Sequence, residues 1–162
     1  MKMRILYVED DPTGREVAMF SLRKAGYDVT FASDGQEALS CFSPQKFDLV
    51  ITDIRMPGVS GIELVRNIHA MAPNLPCIVV TAYGGMQTAF EAMKEGACYF
   101  LSKPFGRDQL LLAVGDSLDR SSVADDLEGL GISAKEVEKR IVCVFPECGG
   151  SLQLREARPD SN

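Results

Sequence analysis

Four places in the sequence carry side chains that could act on one group. Glu9-Asp10-Asp11 follow the apolar run Arg4–Val8, and Asp53 closes Phe47-Asp-Leu-Val-Ile-Thr-Asp53. Thr81 closes Cys77-Ile-Val-Val-Thr81, and Lys103 follows Tyr99-Phe-Leu-Ser102. Three carboxylates brought together repel, and one of them would be pushed towards its neutral form. A hard divalent cation resolves that conflict: magnesium takes oxygen ligands, usually one or two carboxylates plus waters and phosphate oxygens. Neither His nor Cys stands near these positions, so zinc is a poor match. A backbone carbonyl after Asp53, that of Arg55, is a candidate further ligand. Lys103 offers a mobile positive charge suited to a phosphoryl oxygen or a carboxylate, and Thr81 offers a hydroxyl. A carboxylate nucleophile, a cation site, an ammonium and a hydroxyl are the parts of phosphoryl transfer. Singly, each has a plainer reading as a helix cap, a strand residue or a surface lysine. Their recurrence at the ends of successive apolar runs favours a shared site.

The elements needed to position them are legible as an alternation. Short apolar runs end at Val8, Phe31, Asp53, Thr81 or Ala82, and Ser102. Segments of helical spacing lie between them: one opened by Asp11-Pro12 and stopped at Gly26, one from Gln36 to Phe42, one from Ser60-Gly61 through Met71, and one from Met86 to Lys94. A last helix is expected from Arg107 to Leu118. Five such alternations predict an α/β fold, a parallel sheet with right-handed crossovers. The flavodoxin-like order 2-1-3-4-5, doubly wound with helices on both faces, makes strands 1, 3, 4 and 5 neighbours. Their carboxyl ends would then gather Glu9, Asp10, Asp53, Thr81 and Lys103 on one edge, where open parallel sheets place ligands.

Composition narrows the classes. An apolar share of 46% is enough for a proper core. Residues 121–162 carry five Lys/Arg and eight Asp/Glu, a net −3, which leaves −3 of the overall −6 to the first 120. Neither part is basic, which argues against direct nucleic-acid binding. No stretch is long and apolar enough for a membrane span, and no signal peptide is expected. Cys41, Cys77 and Cys98 sit among apolar residues and read as reduced core thiols of a cytoplasmic protein.

Residues 1 to about 120 resemble the receiver domain of two-component response regulators. The resemblance is carried by Ile5-Leu-Tyr-Val-Glu-Asp-Asp11, Asp48-Leu-Val-Ile-Thr-Asp-Ile-Arg-Met-Pro-Gly58, Thr81-Ala-Tyr-Gly84 and Lys103-Pro-Phe105. The wording of Thr81-Ala-Tyr-Gly84 and Glu91-Ala-Met-Lys-Glu-Gly-Ala97 is similar to receivers of nitrogen-regulation-type activators, in which an ATPase and a DNA-binding domain follow. No phosphate-binding loop of the Gly-x-x-x-x-Gly-Lys type occurs here. The resemblance implies Asp53 as phosphoacceptor, Glu9 and Asp10 holding Mg2+ (Asp10 more directly), the Arg55 carbonyl as a further ligand, and Thr81 and Lys103 on the phosphoryl group. It implies a cis bond before Pro104 and an aromatic switch at Phe100, which turns inward when Thr81 moves towards the phosphoryl group. Gly106 stands where relatives often have an Asp cap, so the last helix should start less firmly. The implied partners are a histidine kinase or phosphotransfer protein, and a downstream protein on the helix4–strand5–helix5 face, expected to carry Ala89, Met93 and Phe100. A homodimer is left open. The implied role is a signalling module that catalyses at most its own phosphorylation and dephosphorylation.

Residues 121–162 are expected to be a C-terminal extension, partly helical or disordered, with Ser121 to Glu128 loose. Ser133-Ala-Lys-Glu136 has the form of a capping box, and the segments about Pro146-Glu-Cys-Gly-Gly150 could pair as a hairpin. Cys143 and Cys148 are too few for a zinc site. Two alternatives remain. One is a receiver fragment of a larger transcription activator. The other is a Mg-dependent phosphatase with an Asp nucleophile, which wants a second Asp two residues on, where Arg55 stands. Arg55 and Tyr83 flank the site and are candidates for tuning the phosphoryl lifetime.

Overall fold

A computed structural model describes residues 2–82 and 85–128. The strands are β1 (Arg4–Val8), β2 (Asp28–Ala32), β3 (Leu49–Asp53), β4 (Cys77–Thr81) and β5 (Tyr99–Ser102). Alternating with them are α1 (Pro12–Lys24), α2 (Gly35–Cys41), α3 (Gly61–Met71), α4 (Met86–Lys94) and α5 (Arg107–Glu128). All strand pairs are parallel, in the order β2-β1-β3-β4-β5. Every residue of β3 and β4 is buried, as central strands of a sheet covered on both faces must be.

Alternation along the strands divides the core into two layers. Leu6, Val8, Val50, Val79 and Phe100 pack with Ala38, Leu64, Ile68, Ala89 and Ala92 of α2, α3 and α4. Ile5, Tyr7, Ile51, Ile78, Val80 and Leu101 pack with Ala18 and Leu22 of α1 and Leu110, Val114 and Leu118 of α5. The helix starts follow local chemistry. Asp11, Asp34 and Ser60 each accept from a backbone N–H three residues on, which satisfies donors that the first turn leaves open.

The structure departs from the sequence reading in three places. The segment Ser121–Glu128 was expected to be loose, yet α5 runs on through Glu128. No Gly or Pro lies between Gly115 and Gly129, so a helix already nucleated on the core propagates through polar residues. The expected loose start of α5 is tightened by Gln109, whose side-chain oxygen accepts from the Gly106 N–H at 2.8 Å. Finally, Ala89 and Phe100 do not lie on an exposed face: they are core residues, and Met93 is partly buried against them. On α4 the exposed aromatic is the next residue, Phe90. Cys41, Cys77 and Cys98 form no disulfide with one another, and of the three only Cys77 is fully buried. The expectations on Tyr83, the capping box at 133–136, the hairpin and Cys143 and Cys148 fall outside the described residues. Among the described residues no helix is long and apolar enough to cross a membrane.

Candidate functional site

The register fixes which strand ends meet. Val8 pairs with Thr52, Asp53 with Val80, and Thr81 with Ser102. Glu9 and Asp53 therefore emerge at the same level, and Lys103 lies two residues beyond it, from where its long side chain reaches back to both. The Lys103 ammonium donates to Glu9 Oε2 at 2.5 Å and to Asp53 Oδ2 at 2.7 Å. Asp53 Oδ1 accepts from the Arg55 N–H at 3.2 Å. Glu9 Oε1 accepts from the Asp11 N–H at 3.3 Å. Asp10 is exposed at the rim, and one oxygen each of Glu9, Asp10 and Asp53 lies within 4.8 Å of the others. Thr81 is buried, and its carbonyl accepts from the Lys103 N–H at 2.9 Å. The Lys103–Pro104 bond is cis.

The electrostatics follow from burial against charge. Burial pushes the Glu9 carboxyl up; the Lys103 hydrogen bond opposes this, and the Asp53 charge adds to it, so the net direction is upward. For Lys103, burial alone would pull the ammonium down. Its hydrogen bonds to Asp53 and Glu9, and their charges, outweigh that and hold it above the ordinary lysine value. Burial, with the Glu9 and Asp53 charges adding to it, also pushes the Tyr7 phenol up. The cluster is thus an acid-rich strand edge neutralised in part by one lysine. Its donors are carboxylate oxygens alone, a set that suits a hard divalent cation of the magnesium type.

Of the residues read from the sequence, Glu9, Asp10, Asp53 and Lys103 are brought together. Glu9 and Asp10 are not equivalent: Glu9 is buried and committed to Lys103, whereas Asp10 faces solvent. Phe100 is already inside, packed in the α2–α3–α4 layer. An inward turn of its ring on activation therefore does not fit this conformation.

A family model described as the response regulator receiver domain matches residues 5–115. The chain belongs to the response regulator receiver family. It is 37% identical over 122 residues to the transcriptional regulatory protein GlrR of Escherichia coli, covering 75% of this chain but 28% of GlrR. It is 33% identical over 145 residues to the transcriptional regulatory protein FixJ of Bradyrhizobium diazoefficiens, covering 90% of this chain and 69% of FixJ. Among solved structures, a CheY-like receiver domain protein from Methanospirillum hungatei superposes with a TM-score of 0.72 at 29% identity, covering 75% of this chain and 98% of that one. NtrX from Brucella abortus superposes with a TM-score of 0.74 at 30% identity, covering 80% of this chain and 30% of NtrX. Receiver domains are signalling modules that interact with histidine kinases, and the flavodoxin-like order of the sheet agrees with these neighbours. The expected lack of nucleic-acid contact does not extend to a whole protein, because GlrR and FixJ are transcriptional regulatory proteins.

Proposed function

We propose that this receiver accepts a phosphoryl group on Asp53 from a histidine kinase or phosphotransfer protein and, in response, changes its protein contacts. The reading is carried by Lys103, which reaches across the strand ends to both Asp53 and Glu9 within a cluster of three carboxylates. Asp53 attacks phosphorus through a carboxylate oxygen. An O–P bond forms as the donor's N–P bond breaks, and the departing imidazole keeps the electron pair. Lys103 then exchanges a carboxylate oxygen for a phosphoryl oxygen, and the Thr81 hydroxyl binds another. Glu9, Asp10, Asp53 and the Arg55 carbonyl are the groups that would hold Mg2+. When bound, that ion supplies positive charge against the developing phosphoryl charge. Thr81 leads directly towards α4, so a shift there would be read out on the α4–β5–α5 surface, whose exposed apolar residues include Phe90 and Leu112. That Cys41, Cys77 and Cys98 form no disulfide with one another fits a cytoplasmic setting.

Acetyl phosphate with Mg2+ should label the wild type, and D53N should take up none. Full labelling of D53N, read by mass spectrometry, would falsify the assignment. A second reading places the chain within a transcription regulator, favoured by the names of GlrR and FixJ and by the match to only 28% of GlrR.

A further inference from the structure

The Asp53 carboxylate is held by Lys103 and the Arg55 N–H, but its backbone is held separately. The Thr52 hydroxyl, fully buried, donates to the Asp53 carbonyl oxygen at 2.9 Å. From the other side, the first residue of α3 closes on the same carbonyl. A Cβ built on Gly61 would lie 2.0 Å from the Asp53 oxygen and 2.7 Å from its carbonyl carbon. Only a residue without a side chain allows that approach. The Gly61 N–H also donates to the Ile54 oxygen at 2.8 Å. The loop 54–60 is therefore closed tightly on the residue that carries the carboxylate.

We propose that Thr52 and Gly61 are positioning residues for Asp53: together they fix the peptide plane from which its carboxylate is aimed. This rests on Asp53 being the phosphoacceptor and adds the groups that orient it. Thr52 lies on β3, and its side chain alternates to the face opposite that of Asp53, so it does not reach a phosphoryl group itself. Its effect passes through the Asp53 carbonyl. A nucleophile must sit within a fraction of an ångström of its attack position, and small misplacements are costly in rate. A released peptide plane leaves Lys103, Glu9 and Asp10 in place, so donor binding survives while attack slows.

The test measures labelling of the full chain by acetyl phosphate with Mg2+, at a temperature where every variant is folded by circular dichroism. T52V keeps the shape and removes the hydroxyl; T52S restores it. T52V should lower the maximal labelling rate on the order of fivefold to tenfold, with the half-saturating acetyl phosphate concentration unchanged, and T52S should recover most of the rate. T52A carries the same expectation as T52V and replaces it should T52V fold poorly. G61A should label more slowly than G35A. Gly35 is also crowded, though less so, a Cβ there lying 2.7 Å from the Val59 oxygen, and no Asp53 atom is among its nearest neighbours. With D53N inert, wild-type rates in T52V, or a loss in T52S equal to that in T52V, overturn the positioning role alone. Labelling of D53N overturns the phosphoacceptor reading and this inference with it.

Discussion

Glu9 shows how a single residue can be costly to the fold and useful to the site. It is buried beside Asp53, and its carboxyl is displaced upward because burial and the Asp53 charge outweigh the Lys103 hydrogen bond. The folded state then binds a proton more readily than the unfolded chain. Its contribution to stability is present below the ordinary carboxylate range and is lost as pH rises through the raised folded value. Where Glu9 is ionised it is thus a liability. E9Q keeps an oxygen that can accept from Lys103 and removes the charge. At pH above the ordinary carboxylate range it should raise the thermal midpoint of the fold, read by circular dichroism. The gap from wild type should close as pH falls towards about 4.5, the ordinary glutamate range. The same variant should bind Mg2+ more weakly, read by calorimetric titration, because one hard ligand charge is gone. A wild type more stable than E9Q at neutral pH would refute the cost assigned to Glu9. The acid pair was legible in the sequence as two adjacent carboxylates at a strand end. Their unequal roles came only from the resemblance, and it takes the folded geometry to show that Lys103 reaches Glu9 and leaves Asp10 exposed. Thr52 was equally hidden, because a threonine inside an apolar strand gives no sign of which carbonyl its hydroxyl meets.

At the scale of elements, the stops of α1 and α4 make a controlled comparison. Both helices are followed by a glycine in the left-handed region, Gly26 at φ 98° and Gly96 at φ 117°. A side chain at either is strained by the backbone alone, at roughly 1 kcal/mol. Around Gly26 nothing lies within 4 Å of an added Cβ, whereas at Gly96 that atom would stand 2.6 Å from Cγ of His69 on α3. G96A should therefore lose more stability than G26A, by about 1–2 kcal/mol beyond the shared backbone strain, as measured by urea unfolding. Equal losses would mean that the imidazole moves aside freely. The same end of α4 is tied to α3 by Arg66, whose guanidinium donates to both Glu95 oxygens at 2.9 and 3.2 Å. The α4 start at Gly85 has no side-chain cap. Hydrogen exchange should accordingly find the first turn of α4 less protected than its last. Helix starts and stops were readable because caps and glycines act over three or four residues. The reach of α5 to Glu128 was not, because polar residues such as Ser121 and Ser122 look the same in a loop and in a helix already seeded by Leu110, Val114 and Leu118.

Among the described residues, the buried apolar residues of both core layers fall between Ile5 and Leu118, and the family match spans 5–115. The alternating pattern of strands and helices made the sheet order predictable, since crossover rules leave few ways to join five parallel strands. Which apolar side chains remain outside was less predictable, because periodicity gives a stripe and not its edges. On α1, Val17 and Phe20 are exposed, while their apolar neighbours Ala18 and Leu22 are buried. The distribution of the core leads to a prediction about the division of the chain. If residues 1–120 form the folding unit, with the rest an extension, then a chain ending after Glu128 keeps every described residue of both core layers and α5 from Arg107 to Glu128. Its thermal midpoint should stay within about 2 °C of the full chain, a shift worth well under 1 kcal/mol for a domain of this size. Its acetyl-phosphate labelling of Asp53 should proceed at the full-chain rate, because Glu9, Asp10, Thr81 and Lys103 are all retained. Ending the chain before Leu118 instead should destabilise it by several degrees, since that removes a buried leucine of the α1–α5 layer. A fall of many degrees on removing 129–162 alone would mean that the extension covers part of the receiver, with the exposed Val17 and Phe20 of α1 the first surface to probe by substitution to Ser.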